Sequence, residues 1–356
     1  MPGSFQQRHP APPLCDEPFE LSFFTGVKET VMEMTQQVMI GEPWMWGAFI
    51  AFVIVMLLLD LFVFGGGKAH KVSVKEAALW SLLWVGLALA FNGLLYWYLK
   101  GTVGVELAEQ KSLEFLTGYV IEKSLSVDNV FVFLMVFTAF AVPAEYQRRV
   151  LLYGVLGAIV MRAIMIMAGA WVVREFSWVL YLFGAFLVIT GIRMMVAVDE
   201  KPDLEQNPVL KFARRHLKFT DGYRGEKFWV VENGVRIFTP LFLVLILIEV
   251  TDLVFAVDSI PAIFAITTDP FIVFTSNIFA IMGLRALYFL LADMASRFHL
   301  LKYGLALVLT FVGTKMLIAP WYHLPVQVSL AIVITTLAAS VAASLLSTRK
   351  RGGTQA

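Results

Sequence analysis

Five carboxylates stand in stretches that are otherwise built for an apolar surrounding. "EKSLSVDNVFVF" carries Glu122 and Asp128, and "EVTDLVFAVDSIPAIFAI" carries Glu249, Asp252 and Asp258. The second stretch follows "FTPLFLVLILI", which holds no charge at all. One acid at the centre of a membrane helix costs roughly 2.5–3.5 kcal/mol on insertion scales, so five cost on the order of 10 kcal/mol or more before compensation. The candidate counter-charges are Arg162 in "MRAIM" and Arg285 in "LRALY". Two cations do not neutralise five anions, and the surplus suits a cation as the missing partner. The competing reading is structural: interhelical ion pairs that lock a bundle.

The ligand types restrict that cation. Cys15 is the single cysteine, which excludes a disulfide framework and any cysteine-based metal site. His9, His70, His216, His299 and His323 all fall in tails, loops or span ends. What remains is oxygen, which suits magnesium, calcium or manganese. Asn129, Ser259 and Asn277 are possible further oxygen donors, with Asn277 equally suited to an ordinary interhelical hydrogen bond. Glu249 and Asp252 are three apart and share a helix face. Asp258 is nine beyond Glu249, about half a turn away on an ideal helix. Pro261 offers a remedy, because its ring clashes with the carbonyl of Val257 and opens the helix there. Asp60, ahead of "GGG" at 65–67, reads as an interfacial acid pairing with a basic loop.

These residues need elements to position them, and the composition says which kind. Apolar residues make up 59% of the 356 and charged residues 15%, against about 25% charged in an ordinary soluble domain. Mean hydropathy is +0.76. This is an all-α membrane protein, with nine candidate spans at 44–64, 79–99, 113–141, 150–173, 178–198, 237–260, 271–292, 303–320 and 325–347. Residues 1–43 form a polar, acidic N-terminal segment with no cleavable signal, 44–347 the transport domain, and 348–356 a short basic tail. The one long break, 199–236, reads as a solvated loop. Segments after spans 1, 3, 5, 7 and 9 hold eighteen Lys and Arg, and the opposite side holds five. That bias predicts a cytoplasmic C-terminus and an outside N-terminus. Arg193 and Lys315 sit near opposite faces, where they snorkel to the interface. No basic stripe points to nucleic acid.

The spans also repeat. "EKSLSVDNVFVF" in span 3 matches "DLVFAVDSIPAI" in span 6, "MRAIM" in span 4 matches "LRALY" in span 7, and "GIRMM" in span 5 matches "GTKML" in span 8. The order is the same and the offset nearly constant. Three spans per unit is odd, so spans 3–5 and 6–8 are expected as inverted copies, whose interface near the bilayer midplane is where secondary transporters hold substrate. That arrangement brings the acids of spans 3 and 6 together. An enzyme is not expected. There is no GxGD motif and no Ser–His pairing within spans, although Asp128 and Asp258 superficially suggest an aspartyl dyad.

At "GYVIEKSLSVDNVFVF", "YGVLGAIVMR", "EVTDLVFAVDSIPAIFAITTDPFIVFTSN" and "LKYGLALVLTFVGTKML" the chain resembles the TerC family of membrane proteins, especially its Alx-type branch. The resemblance covers about residues 44–347. It implies manganese(II) efflux across a bacterial inner membrane, with links to tellurite resistance and alkaline pH. It also implies that Glu122, Asp128, Glu249, Asp252 and Asp258 line the ion path, with no resident cofactor. The metal comes from the resemblance, since the residues alone fit magnesium or calcium as well. Its second implication is a scaffold or metal-supply role toward exported proteins or the membrane-insertion machinery.

Overall fold

The computed structural model describes residues 39–65, 73–176, 178–196, 208–232, 234–292, 300–322 and 324–352. Most of the expected N-terminal segment, Cys15 and all histidines but His216 lie outside the described residues. The helices are α1 (Pro43–Gly65), α2 (Val74–Thr102), α3 (Val105–Ala139), α4 (Ala144–Glu175), α5 (Val179–Val196) and a short α6 (Pro208–His216). After a hairpin of β1 (Trp229–Glu232) and β2 (Val235–Phe238) come α7 (Pro240–Phe264), α8 (Pro270–Met282), α9 (Leu284–Ala292), α10 (Leu301–Ile318) and α11 (Val326–Gly352). Local chemistry sets several of the starts. Ser73 caps α2 by accepting the Glu76 N–H at 3.3 Å. Asp269 caps α8 by accepting the Phe271 N–H at 3.0 Å, with Pro270 at the first helical position.

Seven of these helices are long and apolar enough to cross a membrane, or eight if α8 and α9, bent by 40° at their junction, count as one broken span. Nine were expected. The difference is α3, which is helical through the expected third span but carries at least three charged residues in every eighteen-residue window. It sits inside the bundle instead of facing lipid: Phe115, Ile121, Val130 and Phe133 on it are buried. All of α8 from Phe271 to Met282 is buried too. On the outer helices the polarity is reversed relative to a soluble protein, with Leu79, Leu82, Trp97, Ile164 and Leu182 exposed. Such broad apolar exposure is what a bilayer covers.

The helices pack in reciprocal pairs. Along the α5–α10 contact, Gly184 lies against Gly313 while Gly191 lies against Ala306. Along α3–α8, Gly118 meets Ser276, and along α4–α7, Gly154 meets Ile248. Small residues let backbones approach, which is how helices associate in lipid. Gly191 is a tight case against backbone. A Cβ there would lie 2.8 Å from the Ala306 carbonyl oxygen and 2.9 Å from the Thr310 nitrogen. Gly191→Val should therefore lower the amount of folded protein severalfold in detergent size-exclusion profiles. Gly93→Ala, with nothing within 4 Å, should leave the profile unchanged. Equal profiles for the two variants would show that the α5–α10 approach is not needed.

Two expectations need correction. Pro261 does not break its helix. It falls in the last turn of α7, which runs on to Phe264: only the bond to the Val257 carbonyl is lost, and the Ala265 N–H still bonds the Pro261 carbonyl at 3.0 Å. The break lies at Gly283 instead, between α8 and α9. The 199–236 segment is also not simply solvated where it is described. Phe228 is buried, Tyr223 donates to the Phe140 carbonyl at 2.7 Å, and Arg149 reaches Glu226 at 3.6 Å. Aromatic side chains within the charged stretch give it an apolar footing on the α3–α4 turn. In α6, Leu210 and Ala213 face inward while Phe212, Arg214, Arg215 and His216 are exposed.

Candidate cation site

Four helices meet at one buried guanidinium. Arg162 of α4 is 1% exposed. Its Nε donates to Asp252 Oδ2 at 3.3 Å and its Nη2 to Asp252 Oδ1 at 3.2 Å, a bidentate clasp on α7. Its Nη1 reaches Glu122 of α3, Ser259 Oγ at 3.2 Å and Asn277 Oδ1 at 3.3 Å on α8. The neutral groups close the shell. Asn277 Nδ2 donates to Glu122 Oε2 at 3.1 Å, and Asn129 Nδ2 donates to Asp252 Oδ1 at 3.4 Å. Glu122 and Asp252 are 0% and 2% exposed. Burying such charges is tolerable only because each donor has a partner.

Beside this centre is a cavity of about 40 Å³ lined by Glu122, Asp128, Asn129, Arg162, Asp258 and Ser259, together with Thr190 and Met194 of α5. That is room for a water or a largely dehydrated ion, not for an ion with its full hydration shell. The Thr190 hydroxyl hydrogen-bonds Asp258. Lys302 at the start of α10 acts electrostatically on Asp128. Asn129 Oδ1 is buried with no hydrogen-bond donor, an unusual state for an amide oxygen. Glu249 stands apart from the cavity: its carboxylate lies against Gly157 of α4, where any Cβ would collide with it.

The expected residues thus divide. Glu122, Asp252, Arg162, Asn129, Ser259 and Asn277 share one network, and Asp128 and Asp258 line the cavity that adjoins it. Asp252 and Asp258 are presented on different faces of α7, one to Arg162 and the other to Thr190. Arg285 is not in the network. It pairs with Asp60 of α1, because the bend at Gly283 precedes it and carries it toward the first helices. Asp60 accordingly faces a buried arginine and not a basic loop. Among the described residues no three His, Cys, Asp or Glu side chains stand close enough to hold a metal ion together. The physical reason is visible: a guanidinium already lies between Glu122 and Asp252.

Three features escaped the sequence reading. Thr190 precedes the "GIRMM" motif and Met194 lies within it, and only their helix's approach to α7 reveals their place at the cavity. The third is a second buried network toward the start of α3. There Lys111 lies 3.0 Å from Glu114 and 3.7 Å from Asp269, whose Oδ2 also accepts the Ile40 N–H at 3.0 Å. Its signal was a lysine and a glutamate three apart at the head of the charged span.

A bundle of apolar helices enclosing a hydrogen-bonded group of carboxylates defines a multi-pass integral membrane protein with a polar site in its interior. Residues 107–352 match the family described as integral membrane protein TerC family, and the chain belongs to that family. It is 55% identical over 298 residues to a protein of Escherichia coli (strain K12) named "Putative membrane-bound redox modulator Alx", covering 84% of this chain and 93% of that one. The Salmonella typhi protein of the same name is also 55% identical, over 84% of this chain and 92% of its own. An uncharacterized membrane protein of Myxococcus xanthus is 49% identical over 310 residues, 87% and 94% of the two chains. No solved structure matches the chain.

Proposed function

We propose that this protein is a divalent-cation transporter that exports manganese(II) across the inner membrane through the carboxylates at the α3–α7 interface. The observation that carries the reading is the cavity beside Arg162. Three carboxylates, Glu122, Asp128 and Asp258, line it with Arg162 and Asn129, whose Oδ1 is buried without a donor, while Asp252 is paired with the same guanidinium and Lys302 acts on Asp128. Surplus anions and a donorless acceptor call for a cation. An all-oxygen set around these carboxylates favours a hard divalent ion.

The reciprocal contacts of α5 with α10, and of α3–α8 with α4–α7, support an inverted repeat of α3–α5 and α7–α10. Such a repeat supplies two half-sites that alternate. In this arrangement Arg162 holds Glu122 and Asp252 when cargo is absent, and the cation competes with it for them. Reconstituted in proteoliposomes, the protein should move manganese, with magnesium and calcium compared in parallel and a pH gradient imposed or omitted. Absence of flux for all three ions would overturn the reading and favour a scaffold or metal-supply role toward exported or inserted proteins.

The bias of eighteen basic residues to five supports an outside N-terminus and a cytoplasmic C-terminus. A reporter fused after Ala356 should be cytoplasmic, and a cysteine replacing Val103, exposed in the α2–α3 turn, should label from outside in intact cells. Labelling of that cysteine only from the cytoplasmic side would reverse the orientation.

A further inference from the structure

Thr190 and Met194 are one helical turn apart on α5, so they share a face. Both line the cavity that holds Asp128, Asp258 and Asn129. The hydroxyl of Thr190 is engaged with Asp258. Met194 is the one sulfur-bearing residue in a lining whose other polar members, Arg162 apart, offer oxygen, and among them is Asn129, whose Oδ1 is buried without a donor. Leucine would fill the same volume in a wall that already contains Leu125 and Leu309, so packing does not require a thioether there.

The same position recurs in the second half of the chain. Met194 is the third residue after Gly191, and Met316 is the third residue after Gly313. Met316 lines a different cavity, of about 490 Å³, with Glu106, Glu109 and Lys315. The size difference matters. A cation in the larger space keeps its water, whereas about 40 Å³ forces it to exchange water for protein atoms. Discrimination by ligand type operates only where ligands are exchanged.

We infer that Met194 is a specificity-determining residue of the cation path, its thioether favouring manganese(II) over magnesium and calcium. The inference rests on the transport reading above. Magnesium demands a near-ideal octahedron of oxygens, and calcium takes six to eight of them. A thioether in that shell deprives either ion of a ligand. All three ions prefer oxygen, but manganese(II), with its partly filled d shell and less exacting geometry, loses less than either when one ligand is a thioether. The inverted geometry places the matching thioether of Met316 where ions remain hydrated, so it should not discriminate.

The test uses the full chain in proteoliposomes, with Met194→Leu, Met194→Gln and Met316→Leu beside the wild type. Manganese flux is measured alone and against rising magnesium or calcium. The Leu change conserves volume, and the Gln change substitutes a hard oxygen for sulfur. For both Met194 variants, the magnesium or calcium concentration that halves manganese flux should fall by about tenfold. Met316→Leu should match the wild type. Manganese K-edge absorption of the loaded wild-type protein should show a sulfur neighbour that Met194→Leu lacks, a readout independent of flux. If the wild type carries manganese but both Met194 variants keep its selectivity, or if the loaded wild type shows only oxygen neighbours, Met194 is merely wall. If the wild type moves no manganese, the transport reading falls and this inference falls with it.

Discussion

Replacing Asp128 or Asp258 by Asn should cut manganese export by at least about tenfold while membrane levels of the protein stay near normal. Asn keeps the shape and one oxygen, so Thr190 retains an acceptor at position 258. What disappears is a negative charge beside a small cavity inside the bundle, where low dielectric amplifies its attraction for a cation. Folding is relieved of a buried charge by the same change, so the protein should not be lost. Neither acid is clasped by Arg162, which makes these the cleanest positions for separating transport from stability. Intracellular manganese in a strain lacking its other exporters, with membrane levels measured in parallel, reads both quantities. Full export by both variants would refute the proposed path and move weight to a scaffold role. Asn277→Ala should weaken export less, since it removes only a neutral partner of Glu122 and Arg162.

Arg162→Met should have the opposite signature. The change leaves Glu122 and Asp252 facing each other in the bundle without the cation that both of them touch. Breaking a buried pair by removing one partner costs about 3–5 kcal/mol, because the remaining charge stays buried and uncompensated. Most of the protein should then be lost from the membrane, and the remainder should unfold at a lower temperature in detergent. Adding Glu122→Gln and Asp252→Asn to Arg162→Met removes the stranded charges. That triple variant should recover much of the lost stability and still carry no manganese. Wild-type stability for Arg162→Met alone would mean that the guanidinium network contributes little to holding α3, α4 and α7 together.

Much of this arrangement was legible in the chain. The acids of α3 and α7 stood out because charge is costly in an apolar run, and Arg162 stood out for the same reason. The reciprocal motif positions foreshadowed the glycine contacts: Gly191 and Gly313 were read as equivalent, and each packs against the other half's helix. Arg285 was read as the twin of Arg162, and there the expectation failed. Sequence equivalence carries no information about a 40° bend two residues ahead of it, so its pairing with Asp60 was invisible. Pro261 was read as opening the helix because its ring meets the Val257 carbonyl; the preceding turn absorbs that contact and the helix runs on to Phe264.

By itself the sequence determined that the chain is a helical membrane protein with excess buried acid, because hydrophobic length and the cost of burying charge are properties of short segments. It also carries the recurring motifs, which are a pattern along one dimension. Only the tertiary structure decided which acids share a space, that Arg162 clasps Asp252 with two bonds while also touching Glu122, and that Glu249 turns to Gly157 instead. Only there do Thr190 and Met194 acquire a role, since nothing about a threonine or a methionine on an apolar helix sets it apart until a neighbouring helix brings carboxylates to the same face. Helix rotation and bend angle select those neighbours, and both are set by packing against distant parts of the chain.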